Sequence, residues 1–400
     1  MKQLFKISFD LALNSLSPIV SWFVLSLILD SRLINIFSIT YPIQFLWLLL
    51  RDIFATGANI SGVKDKNPHA ANSGILLGAV VSGVIFGGLA LNIDHFIRLM
   101  NADPVIYHDF SIYIVLQLWI QLVVTLVIEK LYYRDENSRA NKISFSFNLL
   151  NFAVLIGSAL IFKQNIAIIT TTLVVGGLFA IIISAKELKK FRFKLNILRA
   201  MKYNSMDILE NIILFFVYLF GVGHAFGYGE DYALAITFAA LVTDIQWDVA
   251  TAIQIKAKID IAKKRMNFKK SFREAYVLLA VLILTSVVAF LGMKNFYELN
   301  IKLAIIYTGI EYYAYLMFPQ YRLKMDFLQL EFSPMKTTFV KLSAMILRLV
   351  IVILLGPITP FALMIGQVSA QMYQVIMINW IFHRRYHILN NGRAVKNRKK

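Results

Sequence analysis

The 400-residue sequence predicts an all-α integral membrane protein of twelve transmembrane helices, arranged as two pseudo-symmetric six-helix bundles. Two observations carry this prediction. Twelve apolar stretches each approach the ~20 residues that a helix needs to cross a bilayer, and lysine and arginine fall almost entirely in every second gap between them. Because basic loops stay cytoplasmic, both termini are expected to be cytoplasmic. The stretches are 11–29, 35–56, 74–91, 111–131, 144–162, 166–185, 208–227, 232–255, 276–293, 301–321, 338–357 and 360–383.

The composition indicates a lipid environment. Hydrophobic residues make up 58% of the chain and charged residues 16%, which leaves too little polar material to solvate an ordinary globule of this length. The formal net charge of +18 could suggest nucleic acid, but the surplus lies in short loops beside the apolar stretches and is explained by topology. We therefore expect a multi-pass protein of the inner or plasma membrane, a monomer whose partners are the lipid bilayer and a small molecule, with no nucleic acid.

Signatures of catalysis are lacking. The chain has no cysteine, which rules out disulfides and thiolate metal sites. No phosphate-binding glycine loop, paired-histidine zinc motif or serine elbow occurs, and the six histidines are scattered. The sequence thus predicts no catalytic residues, no metal site and no cofactor, and the protein is not expected to be an enzyme.

The ends of the chain and its longest gaps add little structure of their own. A basic start followed by an apolar run resembles a signal peptide, but Asp10 and Asn14 interrupt the run and no cleavage site follows. We interpret it as an uncleaved first helix. The longest polar gaps, about 186–203 and 256–274, are too short for a soluble domain. The basic C-terminal segment implies no structure.

The start of each predicted six-helix set carries the same polar spacing. Ser8 to Asn14 is matched 197 positions later by Ser205 to Asn211, with serine, an aspartate and asparagine in register. Two further pairs, Arg51-Asp52 with Trp247-Asp248 and Tyr133-Arg134 with Tyr321-Arg322, follow at similar offsets. Duplication with small loop changes leaves such a pattern. The predicted units are a first bundle 1–190, a basic cytoplasmic linker 191–203, a second bundle 204–385 and a basic cytoplasmic tail 386–400.

Parallel repeats of this kind leave a central cleft that rocking of the bundles can open to either side. Acidic side chains near the bilayer centre cost about 2.5–3.5 kcal/mol and should face a cavity or a partner. The ion-coupling candidates, for protons or Na⁺, are Glu311, Glu210, Asp30, Asp244 and Asp248. Four of them have a structural alternative: Glu311 could form a buried hydrogen bond, Glu210 could hydrogen-bond Tyr203 or a group on a neighbouring helix, and Asp244 and Asp248 could serve helix packing.

Other polar and aromatic residues are assigned more local roles. Arg348, alone in the eleventh stretch, is expected to pair with one of these acids, and Arg51 is expected to pair locally with Asp52. An aromatic pocket for a flat organic cation is predicted near Glu311, although such residues also serve ordinary helix packing. The predicted cleft residues are Tyr312, Tyr315, Trp247 and Asn211.

The tenth stretch and its exit resemble the tenth helix of multidrug and toxic-compound extrusion (MATE) transporters. In that family an acid inside the helix is followed eleven residues later by the arginine of an Arg-Gly-x-x-Asp exit. Here Glu311, Arg322 and Asp326 keep this spacing, while Leu323 replaces the glycine. Glu210 is similar to the acid of the family's seventh helix, and Asp30 roughly matches an acid near the outer end of its first. Arg322, Asp326 and Arg348 are interpreted as structural charges.

The resemblance implies export of organic, cationic or amphipathic compounds in exchange for Na⁺ or protons by alternating access. Flippases of lipid-linked oligosaccharides share the layout and are the alternative, although they would need a large hydrophilic or cationic groove. An integral membrane enzyme and a non-transporting scaffold are two further alternatives. The first lacks a convergent catalytic set, and the retained acids argue against the second.

Overall fold

The computed structural model describes residues 23–64, 66–67, 69–134, 136–162, 164–188, 192–203, 205–262, 266–293, 300–331 and 334–397. All regular elements within these ranges are helices, which confirms the predicted all-α class. They are α1 Ile36–Arg51, α2 Ala58–Lys64, α3 Ala70–Leu91, α4 Ile93–Leu99, α5 Pro104–Tyr133, α6 Asn137–Phe162, α7 Asn165–Glu187, α8 Ile197–Tyr203, α9 Ser205–Tyr228, α10 Glu230–Ala262, α11 Phe268–Met293, α12 Ile301–Glu331, α13 Pro334–Leu355 and α14 Ala362–Asn397.

The helices follow the apolar stretches of the sequence. Each predicted stretch from the second to the twelfth coincides with a helix, while the first, 11–29, is described only from residue 23 onward. Backbone polar groups find no water in a bilayer, so a lipid-spanning segment satisfies them internally as a helix. In the described part of the chain, 8 helices are long and apolar enough to cross a membrane. The protein is thus a multi-pass membrane protein, and the count of twelve crossings and the cytoplasmic termini remain predictions.

The segment around α1 and α2 is one continuous rod with two irregular turns. A 3₁₀ turn, Ser31–Asn35, precedes α1, and a π-helical turn, Asp52–Gly57, joins α1 to α2. Such π-turns place one extra residue in a helical turn and often mark functional segments. The π-turn rotates the residues after Arg51 relative to α1 and brings Gly57 against the linker helix α8.

The pattern of helix neighbours repeats between the halves. In the first half α5 packs against α1, α3 and α7, and in the second half its counterpart α12 packs against α10, α11 and α14. Likewise α6 packs on α7, and α13 packs on α14. The halves meet chiefly where α1 of the first packs along α9 of the second.

The predicted linker 191–203 contains the short helix α8 and is bound to the first half. The Ser73 hydroxyl accepts a hydrogen bond of 2.8 Å from the Lys194 backbone nitrogen, and Asn67 Nδ2 donates to the Lys194 carbonyl at 2.6 Å. α8 itself packs on the π-turn and on α2. The linker therefore belongs structurally to the first half.

The C-terminal tail differs from the expectation that 386–400 has no implied structure. Helix α14 continues to Asn397. The helix continues past Asn390, Asn391 and Gly392, which are weak helix formers, because extending a helix that is already nucleated is easier than starting one.

The local pair predicted for Arg51 and Asp52 is wrong. Arg51 Nε donates to Glu129 of α5, and Asp52 Oδ2 accepts a hydrogen bond of 2.8 Å from Asn211 Nδ2 of α9. Adjacent residues on a helix point in different directions, so each side chain reaches another helix. The Asp52–Asn211 bond joins the two halves.

Candidate functional site

A narrow cavity lies between the two halves. Its volume is about 30 Å³, which holds a water molecule but not an organic compound. One acidic side chain, Glu311, lines it, and no lysine or arginine is among the described lining residues. The lining comes from α1 (Ser38, Tyr41), α9 (Tyr218, Val222), α10 (Ile236, Ala240, Thr243), α12 (Glu311) and α14 (Leu363, Met364).

Glu311 is held in place by a side chain of the neighbouring helix α14. It lies near the middle of the predicted span 301–321, and its Oε2 accepts a hydrogen bond of 3.1 Å from Gln367 Nε2. Gln367 is 2% exposed, so this bond is shielded from water. A carboxylate with one amide partner, facing a cavity, retains acceptor capacity for a proton or a cation.

Arg348 does not pair directly with an acid, contrary to the sequence expectation. One of its Nη2 hydrogen bonds goes to Gln367 Oε1 at 2.9 Å and another to the Tyr218 hydroxyl at 3.0 Å. No ion pair joins Arg348 to a carboxylate among the described residues. Gln367 thus lies between Arg348 and Glu311. The sequence indicates how deep each residue lies in the membrane, but not which side chain lies between them.

Aromatic rings of both halves meet at the cavity wall. The Tyr218 ring of α9 stacks on Phe45 of α1, with centroids 4.9 Å apart and planes at 16°. The Tyr41 ring, also on α1, lies 4.7 Å from Tyr218. These rings give the cavity a π-surface beside a carboxylate, the combination that attracts organic cations.

A buried polar cluster lies next to the cavity, toward the predicted outer side. The Ser38 and Thr237 hydroxyl oxygens of α1 and α10 are 2.5 Å apart. Thr237 Oγ1 also lies 3.4 Å from Asn35 Oδ1, and Asn35 Nδ2 donates to the Tyr107 hydroxyl at 3.4 Å. All four side chains are buried. The halves are therefore in contact on this side of the cavity.

Glu210 lies in an ion pair with Lys341 and does not line the cavity. The pair joins α9 to α13 within the second half, an arrangement that favours the structural alternative for Glu210. The Tyr203 side chain, its other predicted partner, lies outside the described residues.

Asp30 caps the 3₁₀ turn and is bound by Arg32, with 2.8 Å between Arg32 Nη2 and Asp30 Oδ2. The Arg32 hydrogen bonds hold the pKa of Asp30 below its ordinary value, so this carboxylate stays charged at neutral pH. The pair is partly exposed and belongs to the predicted outer end. Proton exchange at Asp30 would need more acidic conditions than at an ordinary aspartate.

The predicted cleft residues fall in several places. The Tyr312 hydroxyl lies 2.7 Å from Ser286 Oγ of α11, and Tyr315 packs into an apolar cluster with Ile253 and Leu279. Neither lines the cavity, and Asn211, which binds Asp52, is also not among the lining residues. The side chains of Asp244, Trp247 and Asp248 lie outside the described residues.

Arg322 and Asp326 form an ion pair one turn apart on α12, with Arg322 Nε 3.5 Å from Asp326 Oδ1. Asp326 is fully buried. In the described part of the chain, no group of three histidines or acids is placed to hold a metal ion.

The sequence reasoning missed Gln367, Ser38, Thr237 and Tyr41. A glutamine inside an apolar stretch was the available signal for Gln367, since a buried amide needs partners. Single serines and threonines give no such signal, because they commonly bond their own helix, as Thr237 does to the Ala233 carbonyl.

No protein-family model matches the sequence, and no curated protein matches it. Solved structures do match over nearly the full chain. A multidrug resistance MATE family transporter of the MOP superfamily in an inward-facing conformation superposes with a TM-score of 0.71 at 11% identity, covering 97% of this chain and 98% of that one. An outward-facing structure of a multidrug resistance MATE family transporter gives a TM-score of 0.70 at 12% identity, covering 98% of this chain and 96% of that one. The chain has the MATE transporter fold.

A further structural match is to a transporter of the MOP superfamily for which a different function is suggested. A MOP superfamily transporter from Pyrococcus furiosus, described as having a binding pocket of reverse polarity, has a TM-score of 0.65 at 11% identity, covering 97% of this chain and 95% of that one. At such identities the likeness establishes the MATE fold, while the activity is argued from the cavity and its residues.

Proposed function

We propose that the protein is a secondary active exporter that moves organic, cationic or amphipathic compounds across the membrane in exchange for protons or Na⁺. The observation that carries the proposal is the position of Glu311. It is a carboxylate within a predicted membrane span, facing a cavity between two bundles. A charge placed there is costly unless it has a function or a partner.

The narrowness of the cavity supports alternating access. An organic compound does not fit, so the halves must separate to admit one. The likeness to transporters solved in inward- and outward-facing conformations supports transport over catalysis. Binding of a cation at Glu311 shifts the equilibrium between such states only if its affinity differs between them.

The cavity chemistry favours a cationic compound over a lipid-linked oligosaccharide, the substrate class of the alternative flippase. The described lining combines one carboxylate with two tyrosine rings and no basic residue. The Glu311 carboxylate attracts a cation, whereas the phosphates of a lipid-linked sugar would need basic side chains on the cavity wall.

The test is uptake of the cationic dye ethidium into proteoliposomes under separate proton and Na⁺ gradients. Glu311→Gln keeps the shape of the side chain but cannot bind a proton or hold a charge, so we expect gradient-driven transport to fall to the rate of protein-free liposomes. Asp231→Asn, an exposed acid at the start of α10, is the matched control and should transport like the wild type. Wild-type transport by Glu311→Gln would contradict the proposal.

A further inference from the structure

Four side chains, Glu311, Gln367, Arg348 and Tyr218, form a continuous series of hydrogen bonds that ends at the contact between the halves. We call this series the relay. Gln367 donates to Glu311 at 3.1 Å and accepts from Arg348 at 2.9 Å. Arg348 in turn donates to the Tyr218 hydroxyl at 3.0 Å. Each link crosses from one helix to another, in the order α12, α14, α13 and α9.

The chemistry of these groups fixes the orientation of the Gln367 amide. A guanidinium offers only donors, so the amide oxygen must face Arg348. The amide nitrogen must then face Glu311 and needs an acceptor there. Gln367 and Arg348 are 2% and 6% exposed, so water cannot easily replace a lost partner.

Tyr218, the last residue of the relay, contacts the first half. The Arg348 guanidinium carbon lies 5.0 Å from the centroid of the Tyr218 ring, and that ring stacks on Phe45 of α1. Arg348 therefore holds both the hydroxyl and the face of the tyrosine that forms the inter-half contact.

We propose that Gln367 and Arg348 are positioning residues that transmit the charge state of Glu311 to the contact between α1 and α9. The inference rests on the proposed function and adds the route by which cation binding moves the halves. While Glu311 is ionised, its bond from Gln367 is charge-assisted and strong. A proton or Na⁺ on the carboxylate weakens that acceptor, Gln367 becomes free to turn, and Arg348 loses the amide oxygen that holds it against Tyr218.

Few other groups can account for a response to pH at this place. The described charged or titratable groups near Glu311 are Arg348, which reaches it through Gln367, and Tyr218 and Tyr41 of the cavity wall, with Tyr307 and Tyr315 one turn away along α12. The cavity-lining side chains described on α10 and α14 do not titrate. Arginine stays charged and tyrosine is ionised only in alkali, so within this set Glu311 is the group that binding of a proton or Na⁺ neutralises.

The experiment measures the distance between the halves without any substrate. The chain has no native cysteine, so Val105→Cys and Ile358→Cys place two spin labels on the predicted outer side, one in each half. Both positions are highly exposed, at 90% and 73%. Pulsed electron resonance then gives the distance distribution in liposomes as a function of pH without Na⁺, and of Na⁺ at fixed pH.

We expect the labelled wild type to change its distance distribution with at least one of the two cations, and Gln367→Met to lose that change. Gln371→Met is the matched control. Gln371 lies one turn further along the same face of α14 and is also buried, at 7% exposure, but it has no hydrogen bond to Glu311 or Arg348. It should respond like the wild type.

The outcomes separate the two proposals. If wild type, Gln371→Met and Gln367→Met all respond alike, the relay is overturned while the proposed function stands. If the wild type responds to neither cation, the proposed function fails and the relay with it. Should Gln367→Met not fold, Tyr218→Phe removes only the hydroxyl at the far end. If the relay operates, Tyr218→Phe should show a smaller cation-dependent change in the distance distribution than the wild type. An unchanged response of Tyr218→Phe would overturn the relay.

Discussion

At the residue scale, Gly74 shows how closely two segments of the first half approach. A Cβ atom at this position would lie 2.3 Å from the Phe54 carbonyl oxygen and 2.7 Å from the Ala58 Cβ. The first obstacle is backbone and cannot rotate away. Glycine here lets α3 lie directly on the π-turn and on α2.

Gly74→Ala is expected to destabilise the protein by about 1–3 kcal/mol, because α3 must move away from the π-turn. Gly88→Ala on the same helix is the control. Nothing lies within 4 Å of its Cβ position, so alanine should be neutral or stabilise by up to about 1 kcal/mol. Thermal unfolding in detergent, followed by tryptophan fluorescence, measures both. Equal melting temperatures for the two variants would show that α3 lies less close to the π-turn at Gly74 than described.

At the element scale, a buried ion pair ties α5 to α7. Lys130 Nζ lies 2.7 Å from Glu187 Oε2, and the side chains are 2% and 7% exposed. Arg139 of α6 reaches the second carboxylate oxygen at 2.6 Å. Three neighbouring helices thus share one carboxylate, and Glu136, whose Oε2 lies 3.1 Å from Arg139 Nη1, supplies a second negative charge.

Removing one partner of this pair should cost more than removing both. Glu187→Gln leaves Lys130, whose side chain is 2% exposed, buried without an acid, and we expect a loss of about 3–5 kcal/mol. Adding Lys130→Met to that variant should restore most of the stability, since no uncompensated buried charge remains. Unfolding midpoints of the two single variants and the double variant measure the coupling, and simple additivity would argue against a buried pair.

At the scale of the whole molecule, the contact between Ser38 and Thr237 holds the halves together beside the cavity. Because the chain lacks native cysteines, Ser38→Cys with Thr237→Cys introduces a unique pair for oxidation. We expect the oxidised pair to stop ethidium transport and a reducing agent to restore it. Each single cysteine variant should be insensitive to oxidation. Transport by a fully cross-linked protein would show that this contact need not open.

The predicted topology is a second property of the whole molecule. Val105 lies at the start of α5 and Leu198 on α8, and both are highly exposed, at 90% and 80%. The alternation of basic residues places the first outside the cell and the second in the cytoplasm. In intact cells a membrane-impermeant maleimide should label Val105→Cys but not Leu198→Cys, and lysis should expose the latter. The reverse pattern would invert the topology.

The sequence by itself determined which segments are helical. In a bilayer, about 20 apolar residues must close their own hydrogen bonds, so length and hydrophobicity suffice to predict a helix. The predicted stretches from the second onward accordingly coincide with helices. The candidate Glu311 was found by the same local reasoning, because an acid in the middle of such a stretch is costly.

Only the tertiary structure decided which side chains meet. Arg51 binds Glu129, 78 positions away, in place of the adjacent Asp52, and Gln367 separates Arg348 from Glu311, one of the acids with which it was expected to pair. Such partners depend on the rotation of each helix about its axis and on which helices are neighbours. Both follow from packing over the whole fold, which leaves no trace in the local pattern of apolar and polar residues.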